Sequence, residues 1–508
     1  MICKIASAGV EGISAFSITI ETAVSHGVPA FNVVGMNDIV TRESRDRIRV
    51  AFEASGLKFP GRKIIVNLAP AEAKKEGALY DLPIAVSLLQ AMNMIRTDTS
   101  RYLIVGELAL DGELRRVRGI LPIAEYARQH GYSLICPSDN KKEAAFVQGL
   151  PIFPVANLHE VIDFFNGTVP IQPYQLNDDM FFREREDGIP DFSDVRGQML
   201  AKRAIEIAVS GRHNVLMIGP PGTGKTMLAQ RIPSILPFLN REESLEVTKI
   251  YSVAGLLDEH KPILTVRPFR SPHHTVSDVG LIGGGGNPRP GEISLAHKGV
   301  LFLDELPEFK KTVIEVLRQP IENGSVIITR AAYSVTYPAH FLMVAAMNPC
   351  PCGYQGDKEK KCSCSPFDIQ RYRKKISGPI IDRIDIHVDV PRASYDELRG
   401  EWSEESSAII RERVLRVQER QKLRFSKEKI HCNSEMSSSQ AKKYCILSSD
   451  AELLFKQAIQ QYALSARAYY RILKVARTIA DMDSKETIEV SHIAEAIQYR
   501  RVMEETYL

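Results

Sequence analysis

The segment Gly219-Pro220-Pro221-Gly222-Thr223-Gly224-Lys225-Thr226 constrains this chain more than any other stretch of it. The apolar run Val215-Leu216-Met217-Ile218 precedes it, and a helical pattern opens at about Met227. A strand, a glycine-rich turn and a helix N-terminus in that order form a cradle for a polyphosphate. The glycines let backbone N–H groups turn inward without Cβ clashes. Lys225 supplies a point charge for the β- and γ-phosphates, and the Thr226 hydroxyl suits Mg²⁺. The helix behind the loop adds its partial positive end. These residues predict an ATP and Mg²⁺ site on an α/β sheet.

A second half of that site is legible downstream. Val300-Leu301-Phe302-Leu303 reads as a buried strand ending in Asp304 and Glu305. In an open parallel sheet the catalytic groups sit at the carboxyl ends of strands. Asp304 suits the outer sphere of Mg²⁺, and Glu305 suits polarising an attacking water. The plain alternative is a core strand with solvated acids at its end, and the phosphate loop argues against it. A third apolar run, Phe341 to Met347, ends at Asn348. Its amide could meet the γ-phosphate or its water, although sequence alone favours an ordinary loop asparagine.

At 508 residues the chain has room for about three domains. Residues 1–170 alternate strand candidates (Phe16–Ile20, Lys63–Leu68, Tyr102–Val105) with helical stretches (Arg42–Ser55, Leu82–Met92, Ile120–His130). Residues 171–190, bounded by Pro170 and Pro190 and carrying a mixed-charge run, read as an extended linker. The nucleotide-binding core occupies 191–391. Residues 392–508 form a helical tail in which Ile472, Val475, Ala476 and Ile479 share one face. No run of 18 or more apolar residues is present, and the first residues lack a signal-peptide core. Eight cysteines without a secreted disulfide pattern make the cytoplasm the expected location. A net charge of +3 advertises no global basic field, so any contact with nucleic acid must be local.

Half of the eight cysteines fall within residues 350–364, as Cys350-x-Cys352 and Cys362-x-Cys364. In extended backbone, side chains at i and i+2 point the same way. Each pair can therefore present two thiolates to one Zn²⁺, with the intervening loop folding back to complete a tetrahedral S₄ set. The spacing departs from the usual Cys-x-x-Cys knuckle, so free thiols and a redox switch stay open. The long stretch between Lys225 and Asp304 has room for an insertion, including adjacent His273 and His274 and a Gly283–Gly286 run expected to be a mobile loop. The two histidines read as polar surface more readily than as metal ligands. Residues 325–338 alternate like a hairpin. Arg330 on it, with nearby Lys310 and Lys311, could contact DNA phosphates or be ordinary surface charge.

The order of phosphate loop, acidic strand, strand-end asparagine and helical tail resembles an AAA+ ATPase. More narrowly, the chain resembles the ComM/YifB family of the magnesium-chelatase-like branch over its whole length. Val34-Gly35-Met36, Val66-Asn67-Leu68-Ala69-Pro70-Ala71 and Lys74-Lys75-Glu76-Gly77 carry that likeness in the first domain. Arg270-Ser271-Pro272-His273-His274, Pro290-Gly291-Glu292-Ile293-Ser294-Leu295-Ala296-His297, Met347–Gly353 and Ser377–Asp385 carry it in the core. The resemblance implies that Asn348 is sensor 1, that Arg383 is an arginine finger for the neighbouring subunit, and that Arg467 is sensor 2 on a lid helix. It implies a hexameric ring that acts on single-stranded and branched DNA, with the hairpin facing a central channel. It further implies a Lon-protease/S5-like fold for residues 1–170. Where such proteases place their serine this chain reads Ala78-Leu79-Tyr80, which cannot serve as nucleophile. A scaffold or DNA-binding platform, like the similar domain of the recombination protein RadA, is expected instead. A chelatase-like motor that remodels a protein partner for metal insertion is the competing reading.

Overall fold

The computed structural model describes residues 2–507 apart from 37, 74, 76, 178–180, 183–187, 259, 287, 331–332, 358, 394, 400–403 and 463. The side chains of 38–40, 330, 333, 396, 398 and 501–507 are likewise outside the description. The chain divides into two compact units, one of residues 1–183 with 241–264, the other of 184–240 with 265–508.

The first unit is built on a seven-stranded mixed sheet. Its order is Ala30–Val34, Lys63–Ala69, Ser14–Ser25, Ile2–Glu11, Tyr102–Ile104, Ser133–Pro137, Ile152–Val155. Ile2–Glu11 and Ser14–Ser25 form a long antiparallel hairpin running from Ile2 opposite Ala23 to Glu11 opposite Ser14. Inward residues Ile5, Ile18, Ile20, Ile64 and Val66 pack with Ile48, Phe52, Leu82 and Leu89 from helices Asp38–Ala54 and Asp81–Ala91. Ala8, Leu103 and Leu134 join Leu121, Ile123 and Ala127 of helix Ile120–Gln129 in another cluster. The boundaries differ from those expected. Residues 171–177 lack regular structure, but Tyr174 N–H donates to Ile152 O (2.8 Å), and Leu176, Phe181 and Phe182 pack on the second cluster. Three apolar side chains in a polar stretch are enough to dock it, so the unit extends past residue 170. The mixed-charge run itself lies mostly outside the described residues. Helix Arg241–Ala254 also belongs here and not to the nucleotide-binding core: Lys249 pairs with Glu125 (2.8 Å), and Ser252 bonds Glu143 (2.5 Å).

The second unit holds a sheet of five parallel strands in the order Phe269–Arg270, Val300–Leu303, Leu342–Met347, Val215–Ile218, Ile386–Asp389. The central strands are buried throughout, as apolar runs covered on both faces must be. Register decides what emerges at the carboxyl edge. Ile218 pairs with Met347 and Leu303 with Ala345, so the phosphate loop, Asn348 and Asp304 leave the sheet side by side. The helical tail follows as Ser407–Arg424, Ser438–Tyr444, Ser449–Gln461, Ala466–Met482 and Val490–Tyr507. Ile472, Val475, Ala476 and Ile479 form the expected buried face and share one apolar cluster with Val215, Val344 and Phe302. No helix among the described residues is long and apolar enough to cross a membrane.

Candidate active site

Helix Lys225–Ile235 begins directly after Gly224, so Lys225 and Thr226 occupy its first turn. Gly222 and Gly224 take φ of +78° and +89°, which L side chains rarely adopt. Gly219 is required for a different reason: a Cβ there would lie 2.2 Å from Val390 O, behind the neighbouring strand. The Thr223 hydroxyl donates to Pro220 O (3.0 Å) and closes the turn.

The predicted residues converge on this loop. Lys225 Nζ donates to Gly219 O (2.7 Å), Pro220 O (2.8 Å) and Asn348 Oδ1 (3.3 Å). Burial pushes the Lys225 ammonium down to about 8, against the pull of Asp304 and Glu305 in the opposite direction. The Thr226 hydroxyl donates to Asp304 Oδ2 (2.7 Å), placing the two oxygen donors suited to Mg²⁺ against each other. Asp304 Oδ1 accepts from Glu305 N–H (2.9 Å). Glu305 has φ +52°, a left-handed backbone unusual for a side chain of this size. Strain of about 1–3 kcal/mol held at the end of a catalytic strand is typical of sites where a side chain must be aimed. Its carboxylate is 57% exposed and therefore open to an approaching water.

Two residues at this site escaped sequence reasoning. His274 Nδ1 lies 3.5 Å from Glu305 Oε2, so one of the paired histidines meets the strand-end acid and not merely solvent. Gln198 Nε2 donates to Pro391 O (2.6 Å) and Thr223 O (3.4 Å), tying the first residues of the core to the phosphate loop. Gln198 carries no local pattern, and His274, although part of a quoted motif, gave no sign that it would meet Glu305. The glycine run also differs from expectation. Gly283 and Gly284 pair with Pro290 and Arg289 in a short antiparallel ladder. A Cβ on Gly283 would sit 2.3 Å from Arg289 O, so the glycine serves close backbone approach.

The contacts of the two arginines are with residues outside the phosphate loop. Arg383 is 12% exposed, donates to Pro379 O (2.6 Å) and is ion-paired with Glu322. Its Nε is buried and has no partner among the described residues. The nearby Asp385 is engaged elsewhere, with His213 (3.1 Å) and Arg471, and lies well below the usual carboxylate range despite burial, chiefly because of the Arg471 guanidinium. Arg467 opens helix Ala466–Met482 behind the Ser465 cap, is 68% exposed, and lies 3.9 Å from Asp382. Lys310 and Lys311 are exposed at the start of the helix after Glu305. The hairpin is present, with Ser325 opposite Pro338 and Arg330 opposite Tyr333. Residues 331–332 and the Arg330 side chain lie outside the described residues.

The four cysteines form a second site in the same unit. Their sulfurs all lie within 4.8 Å of one another, with Cys350–Cys352, Cys350–Cys362 and Cys352–Cys362 at 3.3, 3.6 and 3.5 Å. A tetrahedral ion with bonds of about 2.3 Å puts its sulfurs about 3.8 Å apart, whereas a disulfide needs about 2.05 Å. The donor set fits Zn²⁺. Backbone N–H groups of Tyr354, and then Ser363, draw the Cys352 thiol down to about 5, whereas burial and the neighbouring thiols raise Cys362 and Cys364, so without metal the cluster favours one thiolate and not four.

In the first unit, Ala78–Tyr80 is a single 3₁₀ turn leading into helix Asp81–Ala91. Lys75 Nζ is held by the carbonyls of Pro70 and Ala73 (3.1 Å). Lys74 and Glu76 lie outside the described residues.

Three family models match the chain: magnesium chelatase subunit ChlI over residues 191–398, subunit ChlI of Mg-chelatase over 20–140, and the ChlI C-terminal region over 404–500. The protein YifB of Escherichia coli is 42% identical over 97% of this chain and 95% of its own length. The competence protein ComM of Haemophilus influenzae is 40% identical over 97% of this chain and 96% of its own. The magnesium-chelatase 38 kDa subunit of Cereibacter sphaeroides is 23% identical over 31% of this chain and 52% of its own.

Proposed function

The chain belongs to the magnesium-chelatase ChlI-like family, alongside ComM and YifB, and on that premise we propose that it is a ring-forming, ATP-driven motor acting on branched DNA in recombination, during natural transformation. Family membership implies ATP hydrolysis. When bound, Mg-ATP supplies the phosphoanhydride and a cation that neutralises its charge. Lys225 and the loop N–H groups would hold the phosphates, and Thr226 and Asp304 would hold the Mg²⁺. Glu305 orients and polarises the water, with His274 beside it. Asn348 positions the terminal phosphate from the neighbouring strand. Arg383 reaches the site of the next subunit in the ring, giving up Glu322, and Arg467 reports the nucleotide to the helical tail. The four-cysteine cluster holds Zn²⁺, and the first unit is a Lon/S5-like scaffold without a peptidase nucleophile.

The observation that carries the reading is the convergence of Lys225, Thr226, Asp304 and Asn348 at one glycine-rich loop, on a chain 97% of which matches a competence protein. The hairpin Ser325–Pro338 and exposed Lys310 and Lys311 supply a local grip for phosphates on a nearly neutral protein. A chelatase-like motor remains the competing reading because all three family models are those of ChlI. The discriminating experiment is the ATPase rate without DNA and with single-stranded, duplex and four-way-junction DNA. Stimulation greatest with the junction supports the DNA motor. Equal rates in all four mixtures favour the chelatase-like reading.

A further inference from the structure

The cysteine cluster and the phosphate loop touch. Gly353, in the turn after Cys352, has φ +85°, and a Cβ built there would lie 2.7 Å from Pro221 Cδ and 3.9 Å from Asn348 Cγ. Pro221 is part of the phosphate loop. Asn348, whose amide accepts from Lys225, is joined to the first thiol through Pro349 alone, and Cys350 is fully buried. The turn is fixed from within by Gly353 N–H to Cys350 O (3.0 Å). It is held from behind by Arg373, 6% exposed, which donates to Pro349 O (3.3 and 3.2 Å) and to Gln355 Oε1 (2.8 Å). Arg373 ends the helix Pro366–Arg373, which starts two positions after Cys364. The segment from Asn348 to Arg373 thus closes on itself through the thiolates, and its inner edge rests on the phosphate loop.

We propose that the metal held by Cys350, Cys352, Cys362 and Cys364 is a brace for the ATP site, which sets the position of Pro221 and Asn348 through Gly353 and so couples metal binding to nucleotide binding. The ion serves as a structural pin with all four positions closed, and Gly353 is a positioning residue. The inference rests on the nucleotide-binding reading of Gly219–Thr226 and is independent of DNA. Coupling of this kind is reciprocal: if the metal tightens nucleotide binding by some factor, nucleotide tightens metal binding by the same factor. A cluster that merely stabilised a surface loop would show neither effect.

The loop contains its own control. Gly356 also has positive φ (+76°), but a Cβ there would meet nothing within 4 Å. Gly353→Ala and Gly356→Ala therefore impose similar backbone strain, and only the first pushes on Pro221. In purified protein, metal content is measured by elemental analysis and nucleotide affinity with a fluorescent ATP analogue. Gly353→Ala is expected to keep one metal per chain and to lose roughly tenfold or more in nucleotide affinity, while Gly356→Ala keeps both. A second arm needs no variant: the rate at which a chromogenic chelator strips the metal from the parent protein, with and without ADP and Mg²⁺. Slower release with nucleotide is expected. Parental affinity in Gly353→Ala, or release indifferent to nucleotide, overturns the brace. A parent protein that binds nucleotide but no metal also overturns it, whereas failure to bind nucleotide at all overturns the reading of the phosphate loop itself.

Discussion

Glu305 is the residue on which turnover should hinge. It has a left-handed backbone and an exposed carboxylate near His274, while Asp304 is bonded to Thr226. Glu305→Gln should therefore bind ATP as the parent does and lose hydrolysis by about 10²-fold or more, the usual worth of a positioned base; parental turnover in this variant would contradict the assignment. Arg383 makes a different demand. It is paired within its own chain to Glu322, so the proposed role as a finger requires a neighbouring subunit. Arg383→Ala and Lys225→Ala proteins, each inactive alone, should regain part of the ATPase when mixed, because hybrid interfaces join an intact loop to an intact finger. Mixed rings that stay inactive at every ratio would count against action across the interface. The residues of the candidate ATP site that converge at the loop were legible because their chemistry is local: a glycine turn, a lysine, a strand that ends in acids. His274 and Gln198 were not, because their importance comes from which strand lies beside which, and no single stretch of sequence carries that.

At the scale of elements, buried strands and amphipathic helices declared themselves by length and period. Val215–Ile218, Val300–Leu303 and Leu342–Met347 are continuous apolar runs, and Ala466–Met482 has a clear apolar face. The opening strand Ile2–Glu11 is rich in Ala, Ser and Gly and gave little pattern to read. Boundaries failed where a few side chains outvote composition, as Leu176, Phe181 and Phe182 do in a charged stretch. The cysteine loop was legible as four possible ligands, but its contact with Pro221 depends on a left-handed glycine and could not be read. Protein purified without added metal should carry one zinc per chain; no zinc, together with four titratable thiols in the folded state, would return the cluster to free cysteines. The hairpin yields a separate expectation. Arg330→Ala should lower DNA-stimulated ATPase and leave the DNA-free rate near the parental value, since Ser325–Arg330 pairs with Tyr333–Pro338 and is not a strand of the sheet that carries the phosphate loop. An unchanged stimulation would remove Arg330 from the DNA grip.

For the whole molecule, near-neutral charge confines any hold on DNA to a few loops, and several lysines and arginines acting there would make binding fall steeply with salt. Likeness to the competence protein ComM over nearly the full chain supports the proposed DNA motor, to which the candidate ATP site would supply energy. The central claim is that hydrolysis moves branched DNA. The most direct measurement uses a labelled four-way junction with assembled protein, Mg²⁺ and ATP, with Glu305→Gln and ATP-free mixtures beside it. The account predicts that the junction is converted to duplex arms only by the parent protein with ATP. A junction left intact by assembled rings that hydrolyse ATP at the same rate with and without DNA would contradict it.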